Sequence, residues 1–501
     1  MDIRIVAGRI QEAQADAVLM LLHENSEFNE TTKALDEALG GLLGEVVGAG
    51  DFAGKSGDVA VLYARGAIPA RRVIAVGFGA ADKLNADSIR RAGAQAVKKA
   101  RDLKARMAAA VLPEGLDAGS AAEALVEGAL LALYSYHGQK SKDKPEDVPE
   151  TLTIYVASEQ DVSAAQQGAK AGEAIAAGVQ VARDLVNLPP NICTPAYMAQ
   201  VAGEVAQAAG LKLEVLEKRQ MEALNMGALL GVAQGSQTPP RFIILEHNAD
   251  KADELDTIVL VGKGVTFDTG GYSIKSGDGM VGMKADMAGG GAVIGAMRAI
   301  AGLDVPLHVV GLVPAVDNMI SGNAYRPQEV LKASNGVTIE IISTDAEGRL
   351  ILADALVFAS RYKPAAVVDI ATLTGACVVA LGAVAGGLFS TDDGLRDALM
   401  AAAERTNEKV WPLPLYEEYD KLIESNTADI KNTGGRMGGA PIAAVFLKHF
   451  VDYPAWAHID MAGMAGIESM SGGSGNNPYV PGKGATGYGA RLLADFARRW
   501  K

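Results

Sequence analysis

Three short stretches of this sequence put unusual charge chemistry among apolar neighbours. VGKGVTFDTGGYSIK holds Lys263, Asp268 and Lys275; MKADMAGGG holds Asp286; STDAEGRL holds Asp345, Glu347 and Arg349. Four carboxylates brought together without compensation would repel one another and raise their pKa values. Divalent cations remove that conflict: carboxylate-rich sites suit Mg or Mn, and Zn also accepts carboxylates. A carboxylate shared by two ions can hold them ~3.5–4 Å apart, where they supply a water-derived nucleophile and polarise a carbonyl. Lys263 would be an odd ligand, because an ammonium has no lone pair. Burial beside a cation can depress its pKa enough to expose the neutral amine. Of Lys275 and Arg349, one could stabilise the oxyanion of acyl transfer and the other could hold an anion. Spacing alone leaves open the plainer alternative of solvated loops or structural ion pairs, which is all that a lone D-x-E would deserve. GKG lacks the glycine spacing and the following Ser/Thr of a phosphate-binding loop.

Such residues need strands that end together. In an open α/β sheet, ligands bind beyond the carboxyl ends of the strands, and Asp268 and Asp345 closely follow predicted strands. FIILEH from Phe242, TIVLVGKG from Thr257, Leu307–Val313, Val337–Ser343 and VVDIAT from Val367 read as strands. Ala288–Leu303 reads as a helix, and another starts near Gly348 with Leu352, Leu356 and Ala359 on one stripe. Upstream, strands at Ile3 and Ile5, from Ala17, from Arg71 and from Thr151 alternate with helices over Ala86–Met107 and Gly119–Tyr136. Gly138–Glu150 is charged, carries two prolines and reads as a surface loop. An Ala-rich helix, Ser163–Leu188, ends at Pro189-Pro190 and marks the domain junction. The expected class is α/β with two domains: a smaller N-terminal α/β domain (1–160), a linking helix (161–188), and a larger catalytic domain (189–501) with a central mixed sheet flanked by helices.

Bulk composition narrows the function. The 501 residues carry a formal net charge of −14, which opposes nonspecific nucleic-acid binding. Cys193 and Cys377 form no CxxC pair, so neither a disulfide framework nor a thiolate zinc site follows, and a reducing, cytoplasmic setting is expected. MDIRIVAGRI has no apolar core of a signal peptide. Ala365–Phe389 contains one charge, Asp369, and is long enough to span a bilayer, but glycines and Thr372 and Thr374 interrupt it. It reads as a buried strand running into a glycine-rich loop, and no membrane partner is expected. The six histidines, His449 and His458 among them, lie outside the constellation and read as structural.

STDAEGRL resembles the signature octapeptide of the leucyl (cytosol) aminopeptidase family of metallopeptidases, bacterial type. VGKGVTFDTGGYSIK, MKADMAGG, NTGGRMGGAPIAAVFLKHF, AWAHIDMAG and GATGYGARLL resemble further family landmarks in family order, from about Ala182 onward. The first ~160 residues resemble the family's macro-domain-like N-terminal domain only in general pattern. The resemblance implies two divalent metal ions per subunit, Zn or Mn, with Mg or Co as alternatives. Lys263, Asp268, Asp286 and Glu347 match the ligands of one, and Asp268, Asp345 and Glu347 those of the other. Lys275 matches the lysine that polarises the peptide carbonyl, and Arg349 the arginine that holds a bicarbonate ion, the proton shuttle. Met283, Thr372 and Leu373 align near the pocket for the N-terminal side chain. The implied activity is release of N-terminal residues, leucine and similar, from peptides with a free N-terminus, by attack of a metal-bridging water or hydroxide. The implied assembly is a homohexamer of two stacked trimers, with contacts from the N-terminal domain. Ser343 stands where the family usually has Asn, and Thr269 where it usually has Ser. Other readings are a non-catalytic scaffold, against which the seven intact polar positions argue, and a secondary DNA-binding role, against which the charge argues.

Overall fold

The computed structural model describes residues 1–24, 27–142, 148–466 and 477–500. Residues 143–147 of the charged loop lie outside the described residues. The chain divides into two compact units, Met1–Ala176 with Asn476–Pro481, and Ala177–Gly475 with Gly482–Lys501.

The first unit is built from β1 (Asp2–Ala7), β2 (Ala17–His23), α1 (Glu30–Ala38), α2 (Leu42–Gly48), β3 (Val59–Tyr63), β4 (Arg72–Gly79), α3 (Ala86–Asp102), β5 (Met107–Val111), α4 (Ala118–Ala132) and β6 (Thr151–Val156). Its six-stranded sheet has the order β1-β6-β5-β2-β4-β3, parallel except for the β3–β4 pair. Met107 was expected to close a helix and instead opens β5. The helix stops at Leu103, Lys104 turns with φ 56°, and the apolar MAAAV then pairs between β2 and β6. Helix α5 (Glu159–Asn187) runs through the boundary between the units and stops before Pro189, which cannot continue it.

The second unit continues with α6 (Pro195–Ala209), β7 (Lys212–Leu216), α7 (Lys218–Ala223), α8 (Gly227–Ala233), β8 (Arg241–His247), β9 (Thr257–Gly262), β10 (Gly264–Asp268), α9 (Gly277–Met280), α10 (Ala288–Gly302) and β11 (His308–Asn318). Then follow β12 (Val330–Lys332), β13 (Thr338–Glu340), α11 (Gly348–Ala359), β14 (Ala366–Ala371), α12 (Gly375–Leu381), β15 (Gly386–Ser390) and α13 (Asp393–Thr406). The rest comprises β16 (Val410–Pro412), β17 (Ile430–Lys431), α14 (Gly439–Lys448), β18 (Trp456–Asp460) and α15 (Ala490–Arg499). The main sheet has the order β16-β15-β18-β14-β9-β11-β8-β7, with β10 added on β11; it is mixed, as expected, with a parallel centre. Every residue of β9 and β14 is buried, because helices cover both faces. Ile258 and Leu260 pack on one side with α10, α13 and α15; Val259 and Val261 pack on the other with α8, α11 and α14.

Two sequence expectations change here. Ala365–Phe389 is not a strand with a glycine-rich loop but β14, α12 and β15. Thr374 caps α12 by accepting from the Cys377 amide, so the segment after the strand turns helical. Among the described residues no helix is long and apolar enough to cross a membrane. The strand expected over Val337–Ser343 shortens to Thr338–Glu340, since Ile342 and Ser343 give their amides to the Asn432 side chain.

Candidate active site

Lys263 sits in the break between β9 and β10, held by its backbone. Its amide donates to Ile370 of β14, and its carbonyl accepts from Gly290 of α10. The side chain is 3% exposed and its Nζ has three partners: Asp286 Oδ1 at 2.8 Å, Glu347 Oε1 at 2.9 Å and the Thr372 carbonyl at 3.0 Å. A Cβ on Gly348 would stand 2.6 Å from Lys263 Cε, so only glycine lets α11 approach this closely. Burial pulls the ammonium pKa down, but Asp286, Glu347 and Asp268 outweigh it and hold Lys263 above its ordinary value.

Asp268 ends β10 beside Asn318, its register partner on β11. Its Oδ1 accepts from Asn318 Nδ2 and the Gly270 amide, both at 2.8 Å, and its Oδ2 lies 2.8 Å from Lys275 Nζ. Lys275 also pairs with Asp345, which joins the two loops across the cleft. Asp268, Asp286 and Glu347 bring carboxylate oxygens within 4.8 Å of one another; Asp345 stands outside this trio, more exposed and tied to it through Lys275. Burial and Glu347 push Asp268 up to about 6. Burial likewise raises Asp286 well above the usual carboxylate range, and burial with Glu347 raises Asp345. Glu347 goes the other way, because Lys263 and Lys275 overcome its burial. Asp286 Oδ2 and Glu347 Oε2 are buried without a hydrogen-bond partner. Such orphaned acceptors, beside carboxylates that resist ionising together, fit a bound cation.

Arg349, in the first turn of α11, donates from Nη1 to the Asn432 carbonyl at 2.8 Å, while its buried Nε has no partner. Burial lowers its pKa to about 10. Thr372 gives its hydroxyl to Asp286 Oδ1 at 2.9 Å. The ten residues singled out in the sequence, namely Lys263, Asp268, Lys275, Met283, Asp286, Asp345, Glu347, Arg349, Thr372 and Leu373, all line one cleft of ≈ 540 Å³. Among the described residues no histidine lines it. His458 is buried with Nδ1 2.5 Å from Asp369, and His449 faces Asp420.

Several supporting residues escaped sequence reasoning. Asn318 orients Asp268 and also donates to the Thr344 carbonyl. Asp460, at the end of β18, accepts from Thr374 Oγ1 at 2.6 Å and the Leu373 amide at 3.2 Å, fixing the loop that carries Thr372. Asn432 ties Ser343 to Arg349 of α11. The available signal was a polar residue ending an apolar strand, as in VPAVDN and WAHID. The residues at the two departures from the family pattern are hydrogen-bonded: Thr269 Oγ1 donates to the Asn318 carbonyl, and Ser343 Oγ accepts from the Asp345 amide.

A mixed sheet flanked by helices thus carries, beyond its strand ends, a cleft of paired carboxylates and amines. Residues 180–494 match the catalytic domain of the cytosol aminopeptidase family and residues 18–143 its N-terminal domain. The chain is 45% identical over 499 residues to a probable cytosol aminopeptidase of Geobacter sp. (strain M21), covering 100% of both. It is 45% identical over 504 residues to one from Roseiflexus castenholzii, covering 100% of this chain and 99% of the relative. Among solved structures, a tomato leucine aminopeptidase mutant superposes with a TM-score of 0.86 at 34% identity, covering 100% of this chain and 96% of that one. The bottromycin maturation enzyme BotP in complex with Mn gives 0.83 at 34% identity, covering 97% and 99%. The chain belongs to the cytosol aminopeptidase family and is an aminopeptidase.

Proposed function

We propose that this aminopeptidase is a two-metal enzyme that releases leucine and similar N-terminal residues from peptides. The observation that carries the reading is the pair of orphaned buried oxygens, Asp286 Oδ2 and Glu347 Oε2, inside a group of carboxylates that cannot all ionise comfortably alone. Lys263, Asp268, Asp286 and Glu347 would hold one ion, and Asp268, Asp345 and Glu347 the other. The Mn complex of the similar BotP supports a divalent metal. Bound there, such ions supply Lewis acidity and a water-derived nucleophile at neutral pH.

The chain's own residues orient the rest. The carboxylates attract the free α-ammonium of a peptide, and Met283, Leu373, Ala376 and Val378 offer an apolar wall for its side chain. Lys275, kept cationic by Asp268, Glu347 and Asp345 against its burial, is placed to donate to the scissile carbonyl oxygen as charge develops. The unpartnered Arg349 Nε suits an anion, and bicarbonate is the proposed occupant. Residues 189–501 would form the catalytic domain, reached through the linking helix 161–188, while 1–160 would supply contacts of a homohexamer in the cytoplasm. Hydrolysis of leucine p-nitroanilide after chelation and after Mn or Zn readdition, with metal stoichiometry measured in parallel, tests the reading. Full activity in metal-free protein would sink it.

A further inference from the structure

Among the described residues the cleft holds one cation that the chemistry above does not use. Lys263 and Lys275 are committed to carboxylates, and Arg349 to the Asn432 carbonyl and the proposed anion. Arg436 lines the same cleft, is exposed, and makes no ion pair or hydrogen bond among the described residues. It sits in the turn between β17 and α14, flanked by Gly435 at φ 104° and Gly438 at φ 67°. The turn leads straight into α14, which has no side-chain cap and whose first residue, Gly439, also lines the cleft. An uncapped helix start adds positive potential in the same sense.

A peptide substrate brings two terminal charges. Its α-ammonium is drawn to the carboxylates and repelled by Arg436. Its apolar N-terminal side chain gives a guanidinium nothing to bind. The remaining complementary group is the C-terminal carboxylate, which in a short peptide lies only ~3.5 Å per residue beyond the scissile bond. A cleft of ≈ 540 Å³ has room for a di- or tripeptide. We infer that Arg436 is a specificity-determining residue that binds the free C-terminal carboxylate of short peptides, making di- and tripeptides the favoured substrate class. This rests on the aminopeptidase reading of the cleft.

The test compares leucylglycine with leucylglycinamide, which share the scissile bond and differ in terminal charge. The metal-loaded, full-length enzyme should favour the acid over the amide in kcat/KM by about three- to tenfold at low salt, the range of a partly exposed Arg–carboxylate contact. Added salt should shrink the ratio. Arg436→Gln should bring the ratio to about one, and Arg436→Lys should keep part of it, since the charge remains but the fork is lost. A merely structural role for Arg436 would change both substrates together and leave the ratio alone. An acid-to-amide ratio near one in the unchanged enzyme, or an equal ratio in Arg436→Gln, overturns the inference while hydrolysis of both peptides upholds the aminopeptidase reading. Failure to hydrolyse either peptide removes that reading and the inference with it.

Discussion

Gly348→Ala isolates the contact between α11 and Lys263. Gly348 has ordinary helical geometry, so alanine strains no backbone and even gains ~0.5–1 kcal/mol in helical preference. The added Cβ meets Lys263 Cε at 2.6 Å and Nζ at 2.7 Å, where ordinary contact begins at 3.4 Å. The lysine must retreat by about 0.8 Å inside a close-packed interior that leaves few voids to take it up. It is 3% exposed and tied to Asp286, Glu347 and Thr372, so retreat stretches all three contacts. Overpacking costs ~1–3 kcal/mol, which leaves a net loss of up to ~2 kcal/mol and lowers Tm by a few degrees. The larger effect falls on chemistry, because a ~1 Å misplacement in a site can cost ~100-fold. We expect kcat/KM on leucine p-nitroanilide to fall by about that factor at saturating Mn, with an unchanged circular dichroism spectrum. Gly48→Ala, whose Cβ meets nothing within 4 Å, serves as control. A Gly348→Ala enzyme within about twofold of the control would refute the claim that this approach positions the site.

Lys275→Ala should lower kcat by ~10²–10³, the usual loss for a single oxyanion donor, in steady-state assays of folded protein. Arg349→Ala should lower kcat as well, and added bicarbonate should stimulate the unchanged enzyme more than the variant. Stabilisation by Mn should grow as pH rises from 5 to 7. Asp268 titrates at about 6, and Asp286 and Asp345 are also raised by burial, so the metal-free folded chain retains protons that the unfolded chain has lost. The contribution of Asp268 to metal-free stability is therefore complete below pH ~4 and disappears as pH passes ~6, where its ionised oxygens become free for metal, and raised Asp286 and Asp345 act in the same direction. Thermal melts with and without Mn at pH 5, 6 and 7 check this, and a constant difference in Tm would contradict it. Asp354, wholly buried, accepts from the Leu229 and Ser334 amides at 2.8 and 2.7 Å. Asp354→Ala strands both, and urea denaturation should report a loss of ~2–4 kcal/mol.

Much of this protein was legible before any coordinates. The apolar runs from Thr257 and Val367 became buried parallel strands, the one charge in the second, Asp369, being paired with Trp456 and His458, and the periodic stripe after Gly348 became α11. Short or mixed segments were harder. The strand Met107–Val111 is alanine-rich and gains its strand character only by pairing with β2 and β6. Helix α12 lies in a stretch of glycines and Val378–Val379, where propensity is weak, and the Thr374 cap decides it. Asn318 and Asp460 stayed unnoticed in the sequence, because their roles depend on partners 50 and 86 residues away.

The sequence by itself determined which side chains meet in the cleft: the order and types of Lys263, Asp268, Lys275, Asp286, Asp345, Glu347 and Arg349 carry a family pattern, and strand ends are where an α/β sheet gathers such groups. Tertiary structure alone decided how those charges are apportioned. Which carboxylate shares which ammonium, which oxygens are left without a partner, and that Arg436 faces the same cleft uncommitted all depend on distances between loops far apart in the chain. Coulomb interactions and desolvation act on separation and burial, and neither is written in spacing along a sequence.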